Sequence, residues 1–268
     1  MGKTLISKKN RVLLLELIKT DFKLRYQGSM LGYLWAVIKP LLMFAILYVV
    51  FAQVLRFGDE IPHYPVYLLV GTVLWNFFNE CAQQGLHSIE QRGDLIRKLS
   101  FPKYIVVVSA TSTAVINVLI NLCVVVIFAL LNGVIPTWSW LLAIPLLAEL
   151  YLLALGISLL LGAMNIKFRD VGSIWEVLMQ AMFYAVPIIY PLSMVMNSSV
   201  VAAKIIMVNP VAQIIQDMRW SLITQEAVTE WSLSGPIFGT ISIAIVFIVF
   251  VLGVIYFKKK SKYFAEEV

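Results

Sequence analysis

Charged residues are scarce in this sequence of 268 residues: they make up 13% of it, while hydrophobic residues make up 60%. Soluble domains carry about 25% charged and about 45–50% apolar residues, so the composition excludes an ordinary soluble protein. Apolar runs of about 18 or more residues recur along the chain, which is the length a helix needs to cross roughly 30 Å of hydrocarbon. We therefore expect an all-α, polytopic membrane protein.

Residues and motifs that carry out chemistry are also few. The two cysteines, Cys81 and Cys123, lack the spacing of a metal site or a disulfide framework, and the two histidines, His63 and His87, stand alone. The sequence contains no Gly-x-x-x-x-Gly-Lys-Ser/Thr loop, so it cannot hold nucleotide phosphates as P-loop proteins do. We expect a chain without enzymatic activity, metal or cofactor, in which any ATP and Mg²⁺ are bound by another subunit.

The apolar runs predict about six membrane spans, at residues 33–55, 64–81, 104–131, 138–164, 171–190 and 236–257. Before them, residues 10–26 place Leu15, Ile18 and Phe22 on one helical face, which predicts an amphipathic helix in the membrane surface. The segment before the last span is too polar to cross the membrane and too apolar for a solvated loop. It predicts one or two short re-entrant or interfacial helices. No repeat or linker divides residues 1–268, so we expect a single membrane domain.

The basic residues predict the orientation of the chain. The net charge of +6 does not indicate a nucleic-acid partner, because most of the 21 lysines and arginines form short clusters between apolar runs. These clusters lie in the N-terminal segment, in residues 90–103, in residues 167–169 and in the C-terminal tail. Lys39 lies within the first span. The positive-inside rule then places both termini in the cytoplasm.

Three polar residues within the predicted spans are candidates for special roles. Glu149 lies in the fourth span, where a carboxylate is costly and often functional, although it can also be a hydrogen-bonded group between helices. Asn117 and Asn121 are four residues apart on one face of the third span. That spacing is typical of hydrogen bonds between membrane helices.

Aromatic residues form two groups that suit a carbohydrate conduit. They are Phe44, Tyr48 and Phe51 in the first span, and Phe183, Tyr184 and Tyr190 in the fifth. Aromatic faces with hydroxyl groups offer a sugar chain apolar stacking surface without strong charge. The alternative is that these faces contact lipid or pack against other helices.

Several short motifs resemble one transporter family. The opening segment carries Asp21, Arg25, Tyr26, Ser29, Leu31, Gly32, Trp35 and Pro40. Further motifs are Phe101-Pro102, Asn165 with Arg169-Asp170, Pro187-Ile188-x-Tyr190, and Asn209-Pro210 with Arg219 downstream. Together they cover nearly the whole chain, which resembles the permeases of ABC exporters of O-antigen, teichoic acid and capsular polysaccharide, in the type-2 ABC exporter superfamily.

The resemblance implies a homodimer in the bacterial cytoplasmic membrane, joined to two ATPase subunits that bind ATP and Mg²⁺. The complex would export an undecaprenyl-linked polysaccharide or polyol-phosphate polymer. A coupling helix at about residues 90–102 would contact the ATPase through Glu90, Arg92, Asp94, Arg97 and Lys98. The short helices before the last span would form a gate, and the first and fifth spans would line the channel.

Arg25 is the candidate for the entrance of the lipid pyrophosphate, because a guanidinium can bind phosphate through two hydrogen bonds. Alternatively, Arg25 pairs with Asp21 one helical turn away, or serves only as a cytoplasmic basic residue. Three other functions stay open at this point: a type-2 ABC permease for drugs or lipids, a secondary transporter, and a membrane enzyme acting on polyprenyl phosphate. The last two are disfavoured, because duplicated halves and a convergent set of loop carboxylates are missing from the sequence.

Overall fold

A computed structural model describes residues 8–28, 30–56 and 61–267, and the regular structure within these ranges is helical throughout. Ser29 and the side chain of Tyr26, both in the N-terminal motif, lie outside what the structure describes. In chain order the helices are α1 (Lys8–Tyr26), α2 (Gly32–Val54), α3 (Tyr64–Gln91), α4 (Gly93–Lys98), α5 (Tyr104–Leu131), α6 (Trp138–Asn165), α7 (Val171–Ala185), α8 (Leu192–Ser198), α9 (Val200–Met207), α10 (Pro210–Leu222), α11 (Glu230–Lys260) and α12 (Phe264–Glu267).

Four of the described helices are long and apolar enough to cross a membrane by themselves: α2, α5, α6 and the part of α11 from Gly239 onward. The pair α9 and α10, bent by 98°, adds a fifth if it forms one broken span. Helix α3 has 28 residues but is polar on one face, and α7, with 15 residues, extends only about 22 Å. The prediction of an all-α, multi-pass membrane protein is confirmed, while the count of six spans stays a prediction.

The ends of the second and fifth predicted spans differ from the helices observed. Helix α3 does not end near residue 81 but continues to Gln91. Its polar residues share one face and its apolar residues the other, so the end of the apolar run does not mark the end of the helix. Helix α7 ends at Ala185 instead of residue 190. Val186 adopts an extended conformation there (φ −82°, ψ 139°), as the residue before a proline prefers.

The connecting helices also differ from expectation. Three short helices, α8 to α10, precede the last span instead of one or two. Helix α11 begins at Glu230, where Thr229 and Ser232 cap each other across its first turn. Its backbone leaves the helical conformation at Gly235 (φ 79°, ψ 175°), so the long apolar part of α11 follows that kink, close to the predicted start of the last span at residue 236. The predicted coupling helix of residues 90–102 is helical only over Gly93–Lys98. Glu90 belongs to α3, since the chain leaves the helical conformation at Arg92 (φ −113°, ψ 22°).

Helix α3 lies at the centre of the bundle, between α5 and α6, and α11 packs on the other side of α6. Glycines allow the close approach of these helices. A Cβ atom on Gly85 of α3 would lie 2.2 Å from the Cβ of Ser158 on α6, and a Cβ on Gly253 of α11 would lie 2.3 Å from the carbonyl oxygen of Gly156. Small residues at helix crossings are the usual means of tight packing in membranes.

One end of the bundle collects the basic segments. Leu17 of α1, Ile96 of α4, Phe257 of α11 and Phe264 of α12 are buried in a common apolar cluster there. We call this the basic end, because the lysines and arginines of the N-terminal helix, α4 and the C-terminal tail flank that cluster. Segments that the positive-inside rule assigned to one side of the membrane thus lie together in space.

Candidate functional site

One face of α3 carries polar side chains along the half of the helix nearer the basic end. Asn76, Glu80, Gln83, His87 and Gln91 follow one another at spacings of three or four residues, so they share one face of the helix. We call them the polar stripe. Polar groups in a bilayer must be paired or solvated. A stripe of this length therefore indicates an internal space that holds water or a ligand.

The polar stripe lines two adjoining chambers, which together we call the polar groove. The inner chamber, about 760 Å³, lies between α2, α3 and α5. The outer chamber, about 660 Å³, lies between α1, α3 and α5 and reaches Arg92 at the basic end. Arg25 of α1 lines both chambers. The groove thus leads from the basic end into the part of the bundle that the apolar helices surround.

Arg25 lies where the chambers meet, and its guanidinium forms an ion pair with Glu80. The same carboxylate oxygen of Glu80 accepts hydrogen bonds from Gln84 Nε2 (2.9 Å) and Asn117 Nδ2 (2.8 Å). The alternative pairing of Arg25 with Asp21 does not form, since no ion pair joins these two described side chains. Asp21 contacts Arg92 and Ser109. Glu80 instead neutralises the Arg25 charge.

Asp21 joins three helices at the mouth of the outer chamber. One carboxylate oxygen pairs with Arg92, which precedes α4, and the other accepts a hydrogen bond from Ser109 Oγ of α5 at 2.7 Å. Asp21 itself lies on α1. The contact therefore connects the surface helix α1 with the segment that carries α4.

The predicted coupling residues fall into two groups. Asp94, Arg97 and Lys98 are exposed on α4, where Asp94 and Arg97 form a 3.0 Å ion pair. Arg92 and Glu90 instead contact other helices, Arg92 through Asp21 of α1. Glu90 Oε2 accepts a 3.4 Å hydrogen bond from the side-chain amide of Asn165 at the end of α6.

The two asparagines of the third predicted span bond to neighbouring helices, as predicted. Asn117 donates to Glu80 of α3, and Asn121 Nδ2 donates to the carbonyl oxygen of Ala36 on α2 at 3.0 Å. Both side chains line the inner chamber. They fix the positions of α2 and α3 around that chamber.

The predicted pathway residues of α2 pack against α5. Phe44 is only 8% exposed, and its ring lies 5.6 Å from that of Phe128 in an edge-on contact. Tyr48 stacks on Phe44 at 5.8 Å, and Phe51 is half-buried against the same core. Phe44 therefore contributes to packing within the subunit.

The second aromatic group lies at the end of α7 and contacts α3. The ring of Phe183 is 5.9 Å from Trp75 and 5.3 Å from Tyr184. Tyr184 is 68% exposed, and Tyr190 donates its hydroxyl to the carbonyl oxygen of Ala185 at 2.9 Å. That both aromatic groups line one translocation pathway stays a prediction.

Arg219 connects two motifs that are far apart in sequence. The side chain is fully buried, and its guanidinium donates to the carbonyl oxygens of Pro187 and Ile188, each at 2.6 Å, and of Tyr67 at 3.1 Å. Its guanidinium carbon lies 3.4 Å from the centre of the Tyr67 ring. Asn209, at the start of α10, caps that helix through the amide of Val211 at 3.0 Å. Arg219 therefore fixes α10 and the turn after α7 against α3.

Glu149 lies among other acidic residues. It interacts electrostatically with Asp217 of α10 and Glu230 of α11, and its Oε1 atom is buried without a hydrogen-bond partner among the described residues. Gln213 of α10 donates to Asp217 Oδ2 at 2.6 Å. Glu149 is therefore placed between α6 and the short helices before the last span, away from the polar groove.

The bundle of apolar helices around a polar groove defines a multi-pass membrane protein. The chain belongs to the ABC-2 type transporter family, whose model matches residues 12–223. The predicted resemblance to a type-2 ABC exporter permease is thus confirmed. Because the members are permease subunits of ABC transporters, the chain is not an enzyme by itself, and family membership implies an ABC ATPase partner.

Relatives in this family carry a more specific name. The chain is 30% identical over 255 residues to an "O-antigen export system permease protein RfbA" of Klebsiella pneumoniae, covering 95% of this chain and 94% of the relative. It is 34% identical over 208 residues to another protein of that name from the same organism, covering 77% and 78%. A Myxococcus xanthus protein of that name is 32% identical over 190 residues, covering 70% and 72%. The chain is therefore similar to O-antigen permeases along most of its length.

Proposed function

We propose that this chain is the membrane subunit of an ATP-driven exporter that moves an undecaprenyl-linked polysaccharide or polyol-phosphate polymer across the bacterial cytoplasmic membrane. The observation that carries the proposal is the polar groove, which opens beside α1 and extends along α3. The similarity to O-antigen export permeases supports the same substrate class.

The lining of the groove suits a hydroxylated substrate better than an apolar drug. Its polar lining includes seven amide side chains, and amides exchange hydrogen bonds with hydroxyl groups in both directions. Helix α3 supplies Asn76 and Asn79 to the inner chamber and Gln83, Gln84 and Gln91 to the outer chamber, and α5 adds Asn117 and Asn121 to the inner chamber. A lipid-linked glycan could keep its head group in such a groove and its hydrocarbon chain in the bilayer.

We propose that α4 contacts the ATPase at the basic end. Ile96 is buried in the apolar cluster of that end, while Asp94, Arg97 and Lys98 are exposed. A short helix with one anchored face and one charged face can transmit force from a soluble subunit to the bundle. In this proposal the complex contains two ATPase subunits, which bind ATP and Mg²⁺.

The outward faces of the bundle support assembly as a homodimer. Only 17% of the residues in the apolar window of α2 are buried within the chain. On α7, Ile174, Val177 and Tyr184 are exposed. We propose that α2 and α7 face a second copy around the conduit, and that the basic end, with both termini, lies in the cytoplasm.

Deleting the gene in its own bacterium tests the proposed function. Surface polymer should disappear and lipid-linked polymer should accumulate inside the cell, and the wild-type gene should restore export. A variant with Arg97→Glu and Lys98→Glu should reach the membrane at wild-type levels but fail to restore export. Lys204→Glu, which changes an exposed lysine on α9, is the matched control. Normal surface polymer after deletion, without accumulation inside, would contradict the proposal.

A further inference from the structure

The charges in the inner chamber are unevenly paired. Arg25 is neutralised by Glu80, whose bonded oxygen also accepts from Asn117 and Gln84. Lys39 of α2 lines the same chamber, and no described carboxylate lies within ion-pair distance of it. Within the described residues, Lys39 is therefore the cation of this chamber whose charge is available to a ligand.

Two amides of α3 in the chamber also have unused hydrogen-bonding capacity. The Oδ1 atom of Asn79 is buried and has no hydrogen-bond partner among the described residues. Asn76, one turn earlier, lines the chamber as well. By contrast, Asn117 and Asn121 are engaged with Glu80 and with the carbonyl oxygen of Ala36. Asn76 and Asn79 therefore contribute amide groups of α3 to the lining of the chamber that contains Lys39.

An aromatic ring completes the chamber. Trp35 of α2 lines it and is 41% exposed, one helical turn before Lys39. Aromatic faces pack against the apolar surfaces of sugar rings, amides bind hydroxyl groups, and an ammonium binds phosphate as a point charge. The volume of about 760 Å³ falls within the range of small-ligand sites.

We propose that the inner chamber binds a glycosyl phosphate group of a lipid-linked substrate, with Lys39 contacting the phosphate and Asn76 and Asn79 contacting the sugar hydroxyls. The inference rests on the proposed function for its substrate class but places the charged contact at Lys39 instead of Arg25. Lys39 lies seven residues after the start of α2, about 10 Å along the helix. At that depth the phosphate of a lipid-linked substrate can reach the Lys39 ammonium while the prenyl chain of the substrate stays in the hydrocarbon.

Binding to the purified full chain in lipid nanodiscs tests this site. The probes are a short-chain prenyl diphosphate carrying N-acetylglucosamine, N-acetylglucosamine 1-phosphate, and inorganic phosphate, each titrated calorimetrically. Lys39→Gln should weaken binding of the prenyl-linked probe by about tenfold or more, whereas Lys39→Arg should retain most of it. Asn76→Ala should weaken binding of both sugar-bearing probes by a few-fold and leave binding of inorganic phosphate unchanged. Lys204→Gln, outside the chamber, should bind as the wild type.

The outcomes separate the site from the proposed function. Wild-type affinity of the folded Lys39→Gln variant for the prenyl-linked probe would overturn the site, even if the chain exports polymer in cells. Binding that depends on Lys39 in a chain that exports no polymer would overturn the proposed function and leave the site intact. Equal affinity for the prenyl-linked probe and for free N-acetylglucosamine 1-phosphate would contradict a lipid-linked ligand. Thermal unfolding of each variant verifies that it is folded.

Discussion

Arg219 joins sequence motifs that lie apart, and its contacts explain the structural role of each. The motif at residues 187–190 ends α7, and Asn209-Pro210 begins α10, but nothing in their spacing indicates that they meet. The guanidinium has several donors in a fixed plane, and here it satisfies three carbonyl oxygens of α3 and of the turn after α7. A buried arginine is tolerated because of these bonds.

Arg219→Met should therefore destabilise the protein. The change leaves three carbonyl oxygens without their donor, and an unsatisfied buried acceptor costs about 1–3 kcal/mol, so we expect a loss of about 3 kcal/mol or more. Thermal or denaturant unfolding of the purified chain in detergent measures it. Lys204→Met is the control, since Lys204 is exposed. Equal stability of the two variants would show that the carbonyl bonds contribute little.

The polar stripe could have been recognised from the sequence, while the pairing of its charges could not. Asn76, Glu80 and His87 recur at helical spacing, and that period indicates a helix with one polar face. A search for apolar runs instead ends the helix near residue 81. The partner of Arg25 depends on the packing of α1 against α3, which brings together residues 55 positions apart. Local spacing favours Asp21, and the tertiary contact overrides it.

At the scale of elements, length and hydropathy predict most of the helices, but they predict the connections less well. The helix Tyr104–Leu131 has the predicted bounds, because its apolar run is bounded by polar residues on both sides. In the segment from 192 to 222, apolar and polar residues alternate without a clear boundary. Its division into three helices depends on local caps. Ser199 caps α9 through the amide of Ala202 at 3.3 Å, and Asn209 caps α10.

The contact between Asp21 and Arg92 predicts mechanical coupling between α1 and the segment of α4. Asp21→Arg or Arg92→Asp alone should reduce polymer export, because each leaves two like charges facing one another. The double variant, which exchanges the charges, should recover part of the export. Surface polymer at matched protein level is the measurement. If the double variant is no better than either single variant, the ion pair does not carry the coupling.

At the scale of the whole molecule, α1, α4 and α12 cluster at the basic end. If that end lies in the cytoplasm, as proposed, the opposite end of the bundle faces the outside of the cell. A cysteine at Lys262 should react only with reagents that enter the cytoplasm, and one at Asn197 on α8 should react with impermeant maleimide from outside. The background carries Cys81→Ala and Cys123→Ala, which removes the native thiols. Labelling of position 262 by the impermeant reagent in intact cells would invert the proposed orientation.

The central claim is that this permease moves a lipid-linked polymer by the work of a partner ATPase. It is tested most directly by reconstituting the chain with its ATPase in liposomes that carry a lipid-linked glycan in one leaflet. The measurement is the rate at which glycan becomes accessible to an impermeant lectin on the opposite side. The account predicts that the glycan appears only with ATP and both subunits, and not with an ATPase lacking its catalytic carboxylate. Translocation at the same rate without ATP would contradict it.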